Sequence, residues 1–567
     1  MTPPPAPPDR RALALIALPL ALLAVNSAWL FSPIDRDDWM YYGLFRGAPA
    51  YLELFAGNPA YYPASRLSVV LPGWLAHSLL PAILGNVVLH LALYWAALFS
   101  FYFVARARLG SRPALLAALL LAGDPFFQQA VGRDHVNSFG IAYFSVALLL
   151  VDRAARRFPR RTVLFFAGAL AMALVSANVF YAVYLLLLAF HFVSQAEVRP
   201  TAADAVAFAG GGSCVFLLLG ATARLMGGSP FYFAPSLLWL ADSPQTPTVT
   251  LSDNWPGRTT GLALCLLILP GSLLAIWRGR HERLAPDNRF GWLAQVEFVG
   301  FALLFAVIHL TVQVVLFLPP YVSLLIPPAY LALAGRLAGM TRDLTPKAYG
   351  RLLVLAGATS LAVAALAAAG APGVVSRLPT RTVDPLVIAV AAGAPVALVL
   401  LRRRGSALGL AVLIVGLGFS QVVADALHRQ TRRRPLVQSA AAFRQMDRAL
   451  SLVQSGDRKD DVWLWFDRGS DGQRFGDALS TAHFCGAREV NTRFPELSPA
   501  DAAGSRFRAG SRIAILSPRP DAFTEGARAL ARLGWRTRWL STESVPGPIR
   551  DVVLTTLVVE PGPNLPR

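Results

Sequence analysis

Apolar residues in this chain gather into about thirteen runs, near 12–31, 84–104, 113–128, 136–151, 162–177, 178–194, 203–225, 259–277, 294–317, 319–338, 350–370, 384–401 and 406–424. Most approach the twenty or so residues that carry a helix across a bilayer core. The fifth and sixth are the least separated, because 162–194 is one apolar stretch broken only by Ser176 and Asn178. The first run is longer than the core of a secretory signal, so it reads as a retained anchor. The segment 67–81 is too short for a span and reads as an amphipathic helix lying along the interface.

Near residue 425 the pattern changes, and charged residues become regular. Val462 to Phe466, Arg512 to Leu516, Thr537 to Leu540 and Val552 to Val559 read as short strands. Between them 436–454, 474–484 and 521–533 have helical spacing, with Asp521 placed to start the last. The expected architecture is a polytopic α-helical membrane domain, residues 1–428, followed by a soluble extracytoplasmic α/β domain, residues 429–567.

Composition agrees with that division. The chain has 567 residues, of which 55% are hydrophobic and only 15% are Asp, Glu, Lys or Arg, too few to wet the surface of a soluble protein this large. The net charge of +19 invites a nucleic-acid reading, which the placement of the basic residues removes. Arg10 and Arg11 precede the first run. Arg106, Arg108 and Arg112 follow the second, and Arg153, Arg156, Arg157, Arg160 and Arg161 the fourth. Arg278, Arg280, Arg283 and Arg289 follow the eighth, Arg336, Arg342, Lys347 and Arg351 the tenth, and Arg402 to Arg404 the twelfth. With thirteen spans all of these fall on one side, as short basic cytoplasmic loops do. The expected setting is the bacterial inner membrane, with a cytoplasmic N-terminus and no nucleic-acid partner.

Other motifs carry little. Gly210-Gly211-Gly212 lies inside an apolar run and reads as close helix packing. Cys214 and Cys265 read as small core residues, and Cys485 is alone in its region. Asp460, Asp461, Asp467, Asp471 and Asp477 lack the spacing of a calcium loop and read as solvated. His191, Glu297 and His309 are ionisable groups within apolar runs, where such groups are costly.

The chemistry concentrates in two loops on the outer face, 32–83 and 129–135. The first opens with Asp35-Arg36-Asp37-Asp38-Trp39-Met40-Tyr41-Tyr42 at the end of a span. Neighbouring carboxylates at a membrane boundary repel and lose hydration, which suits one of them to accept a proton. Tyr61-Tyr62-Pro63-Ala64-Ser65-Arg66 follows, and an arginine at headgroup depth can fork onto a phosphate. The second loop carries Asp124-Pro125 and then Gly132-Arg133-Asp134-His135 before the fourth span. Asp134 either orients a substrate, holds a divalent cation such as Mg²⁺ or Mn²⁺, or caps a helix. The long loop 226–258, with Phe231, Tyr232, Trp239, Asp242, Asp253 and Trp255, reads as a lid over the site or as an irregular surface loop.

Asp37-Asp38-Trp39-Met40-Tyr41, the Tyr61–Arg66 segment and Gly132-Arg133-Asp134-His135-Val136-Asn137-Ser138-Phe139 together resemble the GT-C superfamily. These are membrane glycosyltransferases that use polyprenyl-phosphate sugars, and they include protein O-mannosyltransferase-like and aminoarabinose-transferase-like members. The resemblance covers roughly residues 10–200. It implies a GT-C fold and transfer of a sugar from a polyprenyl-phosphate donor to a hydroxyl of a glycan, lipid or protein outside the cytoplasm. It also implies one inverting displacement, with Asp37 as general base. Asp38 and Asp134 are the companion acids by the same resemblance, and Arg66, Tyr41, Tyr62, Arg133 and His135 the substrate-binding set. The pair is Asp-Asp here where the family also uses Asp-Glu, and Asp35 is an additional acid, so the base stays open among Asp35, Asp37 and Asp38. The rival class, a transporter or lipid flippase, predicts mid-span charges and an internal repeat.

Overall fold

The computed structural model describes residues 10–31, 36–55, 64–156, 159–232, 268–269, 271–277, 286–312, 323–368, 406–431, 438–454, 462–466, 473–484, 509–517, 521–548 and 551–561. Among them, seven helices are long and apolar enough to cross a membrane, or eight if one bent pair counts as a single span. The helices are α1 (Ala14–Val25), α2 (Arg36–Phe55), α3 (Leu67–Leu79), α4 (Ala82–Leu109), α5 (Ser111–Ala122), α6 (Pro125–Val131), α7 (Val136–Ala155), α8 (Arg160–Ala177), α9 (Val183–Gln195) and α10 (Ala202–Leu225). They continue as α11 (Pro286–Val312), α12 (Ile326–Thr341), α13 (Pro346–Ala368) and α14 (Ser406–Thr431). The chain is a helical membrane protein with a small C-terminal sheet. The apolar run 384–401 lies outside the described residues.

Local sequence accounts for the breaks. Asn178 ends α8, and its side chain accepts from the Phe180 N–H at 3.1 Å, so the long apolar stretch turns back at the residue that interrupts it. At Asp124-Pro125 the carboxylate accepts from the N–H groups of Phe126 (2.8 Å) and Phe127 (3.2 Å), while Pro125 gives up a donor that would have no partner. The pair α5 and α6 is bent there by 67°. The glycine run lets α8 and α10 touch backbone to backbone: a Cβ on Gly211 would stand 1.7 Å from the Phe165 carbonyl oxygen, and one on Gly168 1.8 Å from that of Phe208. Helix α3 is less amphipathic than its sequence suggests, because Leu75 and Leu79 are exposed on the face away from buried Leu67, Val70 and His77.

The described basic residues after the second, fourth, eighth and tenth runs share one face of the helical layer. Arg108 lies 2.7 Å from Asp152 and joins the second cluster to the fourth. Arg112 donates to the Leu344 carbonyl at 2.7 Å, and Arg289 to that of Ser194 at 2.9 Å. Arg278, Arg280, Arg283 and Arg402 to Arg404 lie outside the described residues.

The C-terminal part has helices α15 (Ala440–Gln454), α16 (Gln473–Phe484) and α17 (Ala522–Ala531) and strands β1 (Val462–Phe466), β2 (Arg512–Ser517), β3 (Trp535–Val545) and β4 (Val552–Pro561). The strands pair in the order β1-β2-β4-β3, parallel between β1 and β2 and antiparallel elsewhere. Alternation puts Trp463, Trp465, Ile513 and Ile515 on one face with Ala529 and Leu530 of α17. Leu464, Phe466, Ala514 and Leu516 face the other way and join a core shared with α15, α16 and the membrane helices. Asp521 precedes α17 as expected, although its side chain makes no capping bond.

Candidate functional site

Three segments far apart in sequence meet beyond the end of α7 opposite the basic face: the start of α2, the start of α3 and the turn 132–135. Asp38 is fully buried and bound by both prongs of Arg133, with four N···O distances of 2.8 to 3.2 Å. This is the fork-on-fork geometry that a guanidinium makes with a carboxylate. One residue earlier, Asp37 is exposed. A helix separates the fates of adjacent residues by about 100°, so one acid points inward and the other out.

Asp134 is also fully buried, 3.0 Å from Nε2 of His90 on α4. The other ring nitrogen, Nδ1, lies 2.7 Å from the Val131 carbonyl. The two contacts together fasten the turn to α4. His90 was missed by sequence reasoning. A lone histidine within an apolar run carries no local motif, and its only signal was the cost of placing it there.

Arg66, at the start of α3, hydrogen-bonds the Tyr41 hydroxyl, with its guanidinium carbon 5.9 Å from the ring centre. The other side of Tyr41 meets the His135 ring edge-on at 5.5 Å. Burial, followed by the nearby charges of Arg133 and Arg66, pushes the His135 pKa well below its ordinary value. The ring is therefore neutral. Its Nδ1 donates to Asn137 Oδ1 at 3.3 Å, which leaves the lone pair on Nε2.

Arg66 and Arg133 thus flank a neutral histidine and an aromatic pair, beside an exposed carboxylate. An anion entering here would meet two guanidinium groups, and a hydroxyl would find an acceptor in Asp37. Tyr62 and Asp35 lie outside the described residues, as does the proposed lid beyond Tyr232. No group of three His, Cys, Asp or Glu able to hold a metal occurs among the described residues. The oxygens of Asp38 face Arg133, and Asp134 lies against His90.

No protein-family model and no curated protein matches the chain. The fold does match a solved structure. It is similar to ArnT from Cupriavidus metallidurans in the apo state, at 18% identity over 96% of this chain and 97% of that one, with a TM-score of 0.50. A second structure, ArnT from the same organism bound to undecaprenyl phosphate, aligns at 16% identity over 96% and 98%, with a TM-score of 0.46. At this identity the likeness is one of fold, and it extends over both the helical layer and the C-terminal sheet.

Proposed function

We propose that the chain is a membrane glycosyltransferase that moves a sugar from a polyprenyl-phosphate donor to an acceptor hydroxyl of a glycan, lipid or protein on the extracytoplasmic side of the bacterial inner membrane. The observation that carries this reading is the convergence of Asp37–Asp38, Arg66 and Arg133–His135, the three motif segments of the GT-C resemblance. The ArnT-like fold supports it.

Asp37 takes the proton of the acceptor hydroxyl as that oxygen attacks the anomeric carbon, and the lipid phosphate leaves from the opposite face. The configuration inverts. A leaving phosphate needs charge compensation more than a proton, and Arg66 and Arg133 supply cations for it. Asp38 serves Arg133: its buried carboxylate holds the guanidinium in place, which supports Asp37 over Asp38 as the base. Asp134 positions the same turn through His90.

The test is transfer by the purified protein from a panel of polyprenyl-phosphate sugars, with products identified by mass spectrometry. Asp37→Asn is expected to bind donor and transfer at least about 10³-fold more slowly, in the upper range for loss of a general base. Turnover by Asp37→Asn at the wild-type rate would overturn the assignment of the base. Failure of every donor with intact protein would overturn the function.

A further inference from the structure

Helix α2, which begins with the candidate acids, is held from two sides. Asp38, Tyr42 and Arg46 follow one another at intervals of four and form a single stripe along it. The first is gripped by Arg133, as described. The other two converge on Asp447 of α15, in the C-terminal part: the Tyr42 hydroxyl donates to Asp447 Oδ1 at 2.5 Å, and Arg46 lies 3.3 Å from the same oxygen. Phe443, one turn before Asp447, packs against the rings of Phe31 (5.6 Å), Trp39 (5.6 Å) and Tyr42 (4.8 Å). Gly43 lies so close to α16 that a Cβ there would stand 2.0 Å from the Ala482 carbonyl oxygen. Trp39, Tyr41 and Tyr42 are each wholly buried.

Two anchors on one stripe determine both the rotation and the advance of a helix. We propose that Asp447 is a positioning residue for the transfer reaction: through Tyr42 and Arg46 it sets the rotation of α2 and so the direction of the Asp37 carboxylate. This rests on the proposed function. It makes the C-terminal domain part of the apparatus that orients the base. Misplacement of a reacting group by about 1 Å is enough to cost roughly 100-fold in rate.

The experiment uses the full-length protein in lipid nanodiscs and compares wild type, Asp447→Ala, Asp447→Asn, Tyr42→Phe, the Tyr42→Phe/Asp447→Ala pair, and Glu543→Gln as a control. Glu543 pairs with Arg448 on the exposed surface of the same domain. Hydrogen exchange over residues 36–46 is read beside kcat and donor KM. Asp447→Ala and Tyr42→Phe are each expected to speed exchange over that segment and to lower kcat roughly ten-fold, with KM moving less than about two-fold. The double variant should be no worse than Asp447→Ala alone, because that change already removes the contact that Tyr42→Phe removes. Asp447→Asn, which can still accept from the phenol, should recover part of the loss, and Glu543→Gln should match wild type. Wild-type exchange and kcat in Asp447→Ala would overturn the proposal, as would a rise in KM alone. If the wild type transfers no sugar, the functional reading fails by itself, and the exchange arm still decides whether Asp447 holds α2.

Discussion

The two ends of α7 both bury charge, and they do so differently. At its far end Asp152 is wholly buried between Arg108 (2.7 Å), Arg156 (2.8 Å) and His191 (3.5 Å), and His191 lies 3.0 Å from Glu297. Arg108 also sits over the Phe290 ring. Two acids face two arginines and a histidine, and together they knit α4, α7, α9 and α11 at one level. At the near end, Asp38 and Asp134 are likewise buried and partnered, but exposed Asp37 stands beside them and Arg66 turns its guanidinium to a tyrosine hydroxyl. Burial of charge is therefore common to a closed cluster and an open one. The difference is chemical: at the near end an exposed carboxylate, Asp37, stands next to the buried Asp38–Arg133 pair and the Arg66–Tyr41 contact.

The comparison breaks most sharply if the two ends respond alike to loss of an acid. Asp37→Asn should remove transfer by the factor of about 10³ given above and leave thermal stability near wild type. Asp152→Ala should do the reverse. It strands the mostly buried Arg108 guanidinium and leaves His191 with Glu297 alone, at a cost of about 3–5 kcal/mol, seen as a lower unfolding temperature in detergent. Turnover per folded molecule should stay close to wild type. A selective loss of turnover in Asp152→Ala would show that the far cluster belongs to the site.

His90 lies between these extremes, since it supports the near end from within the helical layer. His90→Ala leaves the Asp134 carboxylate without its donor and should cost about 1–3 kcal/mol of stability, with a partial loss of turnover. Adding Asp134→Asn removes the stranded charge, so the double variant should be more stable than His90→Ala alone. Additive losses would mean that the 3.0 Å contact is incidental.

These clusters also mark what could be read from residue order. The breaks at Asn178 and Asp124-Pro125 were visible because capping and proline chemistry are local. The strand Val462–Phe466 was visible because a short apolar run rich in aromatics is a local signal, and the helices flanking it because helical spacing is local too. The closeness of α8 and α10 followed from Gly210-Gly211-Gly212. Motif resemblance selected Asp37, Asp38, Arg66 and Arg133–His135, which the fold then gathers. Pairings that cross the chain were not legible. Nothing around Asp38 names Arg133, nothing around Asp447 names Tyr42, and Arg108 and Asp152 were a topology signal and an unremarked acid until their 2.7 Å contact tied two loops together. Partner choice is set by helix rotation and packing, which a single sequence records only indirectly.

The smallest expected effect concerns the histidines that face opposite surroundings at the two ends. His191 lies between two carboxylates. His77, on α3, has neither: both ring nitrogens are without a hydrogen-bond partner, and its ring stacks on Phe45 and meets Tyr42 edge-on. Burial lowers its pKa to about 4, against the opposing pull of Asp134. An exposed histidine in the unfolded chain takes a proton near pH 6.5, well before the buried ring does. The stability that depends on neutral His77 is therefore complete above about pH 6.5 and declines as pH falls from there toward 4. At pH 5.5 the loss is about 1 kcal/mol, one pH unit below the exposed value. His77→Phe keeps the stacking on Phe45 and removes the titration, so it should flatten the fall in unfolding temperature between pH 6.5 and 5. An undiminished fall in that variant would move the acid sensitivity to another group, with His135, whose pKa is lowered by burial and by Arg133 and Arg66, the next to test.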